Sequence, residues 1–124
     1  MRMEVLTSPS GASIVNDAYN ANPTSMLAAL DALAAMNAER RVAVLGLMGE
    51  IEDPEPAHRA IADRARDLGL ELIVVGTDLY GVEQSADPVA ALGPLGSGDV
   101  VLVKASRSAG LERIVAALVA TPER

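Results

Sequence analysis

Residues 14–25 read IVNDAYNANPTS, a stretch that ends an apolar strand and begins a helix. Pro23 fits the first turn of a helix, and Asn22 before it fits the N-cap position. Asp17 and Asn20 lie in the loop before the helix, where free N–H groups favour a negative or strongly polar ligand. This loop is therefore a candidate binding site. The alternative is that its asparagines only cap the helix and turn the chain.

Short β-branched runs and longer helical stretches alternate over the rest of the chain, which is typical of an α/β fold with a mainly parallel sheet. The turn-rich residues 7–11 join the first two strands, so we expect an opening β-hairpin. The predicted strands are 3–6, 12–16, 41–46, 72–76 and 100–104, and the predicted helices are 23–36, 54–68, 88–92 and 109–120.

The composition limits the classes of protein to which the chain can belong. Its 124 residues suit one domain, 1–124, and half are hydrophobic although only 2% are aromatic, so we expect an aliphatic core. A net charge of -7 argues against a nucleic-acid partner or an anionic membrane surface. With no cysteine and a single histidine, we predict no metal site. No apolar run has the length of a membrane span, which predicts a cytoplasmic protein without membrane insertion.

The carboxyl ends of parallel strands meet at one edge of a sheet, where ligands of α/β proteins bind. The segments that follow four of the predicted strands are 17–25, 46–53, 76–80 and 104–108. We expect the polar side chains of these segments to share one rim.

Residues 104–108, KASRS, place two cations and two hydroxyls between a buried strand and a predicted helix. Basic side chains at a helix start oppose the helix dipole, which favours a functional reason for their presence. Arg107 would bind a carboxylate or a phosphate in bidentate fashion. The alternative is structural, with Ser108 as an N-cap, Arg107 in solvent and Lys104 as a charge at the strand edge.

The loop at 46–53 carries three acids, Glu50, Glu52 and Asp53, which would position a metal-bound or amine-bearing ligand. A solvated acidic turn is the interpretation that we favour for this loop. His58 lies off the apolar stripe of the helix that follows, and we favour a partly exposed structural histidine over a catalytic base.

The chain has no G-x-x-x-x-G-K-[ST] loop and no G-x-G-x-x-G motif. It therefore lacks a phosphate-binding loop of its own. If the chain takes part in ATP chemistry, another domain must supply the nucleotide-binding motif.

Three segments together resemble the C-terminal domain of the Mur ligases. They are NDAYNANPTSM at 16–26, VLGLMGE at 44–50 with His58-Arg59 downstream, and VLVKASRS at 101–108 continuing to Leu111-Glu112. Arg2 and Glu4 resemble the Gly-Arg-x-Glu motif that enters this domain, with Met1 in the place of the glycine.

Three positions depart from the family pattern. Leu47 replaces a usual acid, Glu52 stands where glycine is common, and Ala105 replaces the glycine before Ser106. The first departure weakens a ligand role for the middle loop, and the last would alter the backbone of the anion-binding loop.

The resemblance implies a Rossmann-like three-layer domain and ATP-dependent amide ligation in peptidoglycan synthesis. The first block is similar to that of the family members that join D-alanyl-D-alanine to UDP-N-acetylmuramoyl-tripeptide. In that reaction ATP phosphorylates the terminal carboxylate of the tripeptide, and the dipeptide amine attacks the acyl phosphate. ATP and Mg²⁺ would be held mainly by a central ATPase domain, which contacts this domain in cis. The resemblance thus implies that the central ATPase domain and an N-terminal UDP-sugar domain are absent here. It also implies that the chain is an excised domain or an engineered fragment, inactive alone.

The resemblance also implies roles for individual residues. Asp17 would contact the ribose of ATP, and Arg2 would reach toward the phosphates. The implied ATP-binding residues are Asp17, Arg2, Asn20 and Asn22, and the implied substrate-binding residues are Ser25, Lys104, Ser106, Arg107 and Ser108.

Two hypotheses of other classes stay open. The chain would be a standalone nucleotide- or peptide-binding module of the same fold without ligase activity, or a purely structural α/β domain. The reading frame upstream of Met1 separates the first of these from the ligase, because the ligase requires a preceding segment with a phosphate loop.

Overall fold

The computed structural model describes residues 3–120, which form a five-stranded sheet with helices on both faces. The strands are β1 (Glu4–Thr7), β2 (Ser13–Asp17), β3 (Arg40–Leu45), β4 (Glu71–Val74) and β5 (Asp99–Lys104). The helices are α1 (Pro23–Ala35), α2 (Pro54–Asp67), α3 (Pro88–Leu92) and α4 (Glu112–Val119), with a 3₁₀ turn at Arg107–Ala109. None of the helices in this described range is long and apolar enough to cross a bilayer.

The sheet has the order β1-β2-β5-β3-β4, in which β1 runs antiparallel to β2 and the other neighbours are parallel. The predicted α/β fold, mainly parallel sheet and opening hairpin are thus confirmed. Lys104 at the end of β5 pairs with Asp17 on β2 and with Leu45 on β3. The three central strands therefore end at the same level of the sheet.

The two faces of the sheet carry different helices. Met26, Leu30 and Leu33 of α1 and Ile61 and Ala65 of α2 lie in the core of one face. Leu92 of α3 and Ile114, Val115 and Leu118 of α4 lie in the core of the other face. Both cores are aliphatic, as expected, except for the buried ring of Tyr80. The chain therefore leaves β2 and β3 toward one face and leaves β5 toward the opposite face.

The last helix differs from the prediction of a helix over 109–120. A single 3₁₀ turn follows β5, and Gly110 then adopts a left-handed φ of 71°, so α4 begins only at Glu112. Residues 106–108 consequently do not lie at the N-terminus of an α-helix, and the dipole argument does not apply to them. The other strand and helix bounds agree with the predictions to within two residues, the usual uncertainty at element ends.

Candidate functional site

A cavity of about 470 Å³ opens at the carboxyl ends of the three central strands. Three loops line it: Tyr19, Asn20 and Ala21 after β2, Gly49 and Glu50 after β3, and Ser106, Arg107 and Ser108 after β5. We call this the rim cavity.

The strand order explains where the rim cavity forms. β5 lies between β2 and β3, so the loops that follow these strands are neighbours. The loop after β5 turns toward one face of the sheet while the other two loops turn toward the opposite face. A crevice opens at such a point, and it is the usual ligand site of doubly wound sheets.

The segment 76–80 does not reach this cavity, which corrects the prediction that four segments share one rim. β4 is the edge strand beyond β3, so its carboxyl end is remote from β2 and β5. Tyr80 instead lines a second cavity, of about 590 Å³, beside Arg59 and Arg66 of α2.

Hydrogen bonds fix the loop after β3 at four successive residues. The Tyr80 hydroxyl donates to the Gly46 carbonyl at 2.6 Å, and the Ser106 amide donates to the Leu47 carbonyl at 2.8 Å. The Met48 amide donates to His58 Nε2 at 3.0 Å, and the Gly49 amide donates to Ser106 Oγ at 2.6 Å. Two walls of the rim cavity are therefore joined to each other, and the loop between β3 and α2 is preorganised.

Gly46 allows the loop after β3 to lie close to Ala105 and Leu111. A Cβ at position 46 would lie 2.9 Å from the Cβ of Ala105 and 3.1 Å from the side chain of Leu111. Ala105, the residue that departs from the family glycine, is fully buried against it. The alanine is thus accommodated because the opposite residue has no side chain.

His58 supports the same loop from below. Its ring is fully buried, whereas the sequence analysis favoured a partly exposed histidine, so that expectation of exposure is wrong. Because Nε2 accepts the Met48 N–H, the ring proton lies on Nδ1, which donates to the Pro54 carbonyl at 2.6 Å. His58 is a structural residue, and its ring meets that of Tyr80 edge-on at a centroid distance of 4.8 Å.

Replacing Tyr80 with Phe tests this support. Burial raises the pKa of the Tyr80 phenol above its ordinary value, because the anion is disfavoured away from water. The contribution of the neutral Tyr80 phenol to stability is therefore complete below the unfolded-state pKa of about 10. This contribution is lost as the pH rises above that value. We expect Tyr80→Phe to lower the free energy of unfolding by about 1–3 kcal/mol at pH 7, since the Gly46 carbonyl loses its donor. Urea denaturation at pH 7 and pH 11 should show this difference shrinking at the higher pH.

Asp17 and Lys104 form a buried ion pair at the ends of β2 and β5. Lys104 Nζ is 2.5 Å from Asp17 Oδ2 and donates to the Asn20 carbonyl at 3.0 Å, and both side chains are only 1% exposed. The Lys104 ammonium is thus bonded within the protein and holds the loop after β2 in place, and its implied substrate contact stays a prediction. Asp17 Oδ1 is buried and accepts no hydrogen bond from residues 3–120.

Asn22 and Ser25 begin α1 as a reciprocal capping box. The Asn22 side chain accepts from the Ser25 amide at 2.8 Å, and the Ser25 hydroxyl accepts from the Asn22 amide at 3.2 Å. The cap predicted at Asn22 is therefore present. Neither residue is part of the cavity lining, so their implied ligand contacts stay predictions.

Arg107 is the exception among the cations of residues 3–120. Its guanidinium forms no hydrogen bond and no ion pair within that range, whereas the side chain of every other described Lys or Arg bonds a carboxylate or a backbone carbonyl. A guanidinium left unpaired on a cavity wall is available to bind an anionic ligand group.

The structure thus brings four of the nine predicted site residues to the rim cavity: Asn20, Ser106, Arg107 and Ser108. Arg2 lies outside the described residues. Tyr19, Ala21 and Gly49 were not predicted as site residues, and Glu50 was expected to lie in a solvated turn. Their position in the family blocks was the only signal available, because the lining depends on how three distant loops meet.

The residues present fit one part of a nucleotide better than a metal ion. The unpaired Asp17 Oδ1 is an acceptor suited to a ligand hydroxyl, and buried acceptors without a donor are uncommon in folded proteins. Residues 3–120 hold no group of three His, Cys, Asp or Glu side chains suited to a metal ion, so we assign no Mg²⁺ ligand within this range.

Comparison with known proteins gives a consistent set of matches. Residues 1–121 match the family described as the Mur ligase, glutamate ligase domain. The UDP-N-acetylmuramoyl-tripeptide–D-alanyl-D-alanine ligase of Mycobacterium tuberculosis is 40% identical over 157 aligned positions, which cover 96% of this chain and 31% of that protein. The Bacillus subtilis ligase of the same name is 34% identical, over 98% of this chain and 31% of that protein.

Solved structures of MurF ligases are also similar to this chain. The MurF ligase of Thermotoga maritima in complex with ADP has a TM-score of 0.76 and 28% identity, over 90% of this chain and 28% of that one. A MurF from Acinetobacter baumannii has a TM-score of 0.74 and 27% identity, over 94% of this chain and 29% of that one. The chain spans less than a third of the length of each of these proteins.

Proposed function

Because the chain belongs to the Mur ligase family and corresponds to the C-terminal domain of these enzymes, we propose that it is part of an ATP-dependent ligase. This ligase adds D-alanyl-D-alanine to UDP-N-acetylmuramoyl-tripeptide. In this proposal the rim cavity forms one wall of the ligase site. A central ATPase domain and an N-terminal UDP-sugar domain complete the enzyme, since the chain has no phosphate loop. In this proposal the enzyme acts on its nucleotide-linked substrate in the cytoplasm.

The unpaired Arg107 in the rim cavity is the observation that supports this proposal most strongly. The incoming dipeptide ends in a carboxylate, and Arg107 offers the fork of donors that binds a carboxylate in bidentate fashion. Ser106 and Ser108 place hydroxyl donors beside it on the same wall. The dipeptide would thus bind at the loop after β5.

The nucleotide would bind toward the loop after β2. ATP supplies the phosphoryl group that activates the acceptor carboxylate, and Mg²⁺ would be held by the central domain. Asp17 Oδ1 would accept a hydrogen bond from a ribose hydroxyl, and this requires the loop above it to open or the ribose to enter beside it, because Asp17 is 1% exposed. Asn20 lies on the cavity wall, where its amide can contact the same ligand. Lys104 keeps the Asn20 backbone in position through its carbonyl.

We expect this chain alone to show neither ATPase nor ligase activity. The measurement is phosphate release and peptide formation with ATP, Mg²⁺, the UDP-linked tripeptide and the dipeptide. The same assay on the full-length ligase that carries this domain should give D-alanyl-D-alanine addition.

Two results would contradict the proposal. Ligation by the isolated chain would show that no further domain is needed. A full-length protein that binds nucleotide or peptide without ligation would instead identify a binding module of the same fold.

A further inference from the structure

The rim cavity presents a negative group as well as a positive one. Glu50 lies on the wall after β3, and Arg107 lies on the wall after β5. Within the part of the chain that the structure describes, neither side chain forms an ion pair within 4.0 Å. The two opposite charges therefore do not neutralise each other or any described neighbour, and both are free for a ligand.

The position of Glu50 is fixed by the residues before it. Gly46 to Gly49 are each held by a hydrogen bond to β5, Tyr80, His58 or the Ser106 segment. Glu50 follows directly with a left-handed φ of 58°, a conformation that non-glycine residues seldom adopt. The backbone of Glu50 is thus held at a defined point on the cavity wall, which limits where its carboxylate can lie. An acid in a mobile turn would not be limited in this way.

A ligand that satisfies both walls must carry a cation and an anion at different ends. A phosphate group alone would be attracted by Arg107 and repelled by Glu50. A free dipeptide is a zwitterion, with an ammonium at one end and a carboxylate at the other. Its charges match those of the two walls.

We propose that Glu50 determines specificity by binding the α-ammonium of the incoming dipeptide while Arg107 binds its carboxylate. This inference rests on the proposed function, because it assumes that the dipeptide occupies the rim cavity. It assigns the side chain to recognition of a free amino terminus. Peptides with a blocked amino terminus would lose this contact.

Steady-state kinetics of the full-length ligase test the inference with two ligands. The first is D-alanyl-D-alanine, and the second is N-acetyl-D-alanyl-D-alanine as a competitive inhibitor without the ammonium. We expect Glu50→Gln to raise the KM for the dipeptide about tenfold, as for loss of a charged hydrogen bond, and to leave the KM for ATP unchanged. The inhibition constant of the acetylated analogue should be the same for the variant and the wild type.

Two further variants separate charge from backbone effects. Glu50→Gly removes the carboxylate and suits the left-handed φ, so it should raise the dipeptide KM as much as Glu50→Gln does. Glu52→Gln changes the net charge by the same amount at an exposed residue outside the cavity lining, and its KM should equal that of the wild type.

The outcomes distinguish this inference from the proposed function. An unchanged dipeptide KM in Glu50→Gln, with a raised KM in Arg107→Ala, would overturn the role of Glu50 and leave the dipeptide site standing. Equal weakening of the dipeptide and its acetylated analogue would overturn it as well, because the ammonium would not be the group recognised. If neither variant changes the dipeptide KM, the proposed dipeptide site itself is wrong.

Discussion

Lys104→Met should lower the free energy of unfolding of this domain by about 3–5 kcal/mol, because it leaves the buried Asp17 carboxylate without its counter-ion. Both side chains are 1% exposed, so water cannot replace the lost partner. The variant also removes the donor to the Asn20 carbonyl. A loss of this size is a large part of the free energy of unfolding of a typical domain, which is roughly 5–15 kcal/mol.

Urea denaturation of this chain measures that loss, and two comparisons give it meaning. The double variant Asp17→Asn/Lys104→Met removes both charges and should be more stable than Lys104→Met alone. Arg64→Met breaks the exposed pair between Arg64 and Asp31, whose atoms are 2.8 Å apart, and should cost no more than about 1 kcal/mol. Equal losses in Arg64→Met and Lys104→Met would show that the buried pair has no special weight.

Arg107→Ala should have the largest effect on activity. In the full-length ligase we expect it to raise the KM for D-alanyl-D-alanine about 10- to 150-fold, which corresponds to loss of about 1.5–3 kcal/mol from hydrogen bonds to a charged group. The stability of the domain should not change, because the Arg107 side chain forms no hydrogen bond or ion pair with a described residue, and the alanine keeps the backbone carbonyl that accepts the Gly110 amide. The measurements are the KM for the dipeptide, the KM for ATP and a thermal unfolding midpoint.

Arg66→Ala is a charge-matched control for this variant. Arg66 lies on the solvent face of α2, where it pairs with Asp63 at 3.3 Å and is 73% exposed. Its substitution should leave both KM values as in the wild type. A dipeptide KM that is unaffected by Arg107→Ala, or raised equally by Arg66→Ala, would remove the proposed carboxylate contact.

Local signals in the sequence were enough to predict the fold. Short β-branched runs between longer helical stretches indicated the strands. Pro23 and Asn22 marked the start of α1, and the turn residues between β1 and β2 indicated the hairpin. These features depend on neighbours along the chain. The late start of α4 was missed because Gly110 interrupts a pattern whose apolar spacing is otherwise helical.

The site was predictable only in part, because its geometry depends on strand order. The segments after β2, β3 and β5 were recognised as candidates, but nothing in the sequence showed that β5 lies between β2 and β3. For the same reason the segment after β4 was wrongly included. Lys104 is buried against Asp17, which is distant in sequence. His58 is buried against Met48, from which a loop separates it along the chain.

A crystal structure of the full-length ligase with ADP and D-alanyl-D-alanine is the most direct measurement of the central claim, that the rim cavity is one wall of the ligase site. We predict the dipeptide carboxylate within hydrogen-bond distance of Arg107, and the nucleotide on the side of Tyr19, Asn20 and Ala21. The account would be contradicted if neither ligand contacted any residue of the three loops that line the cavity.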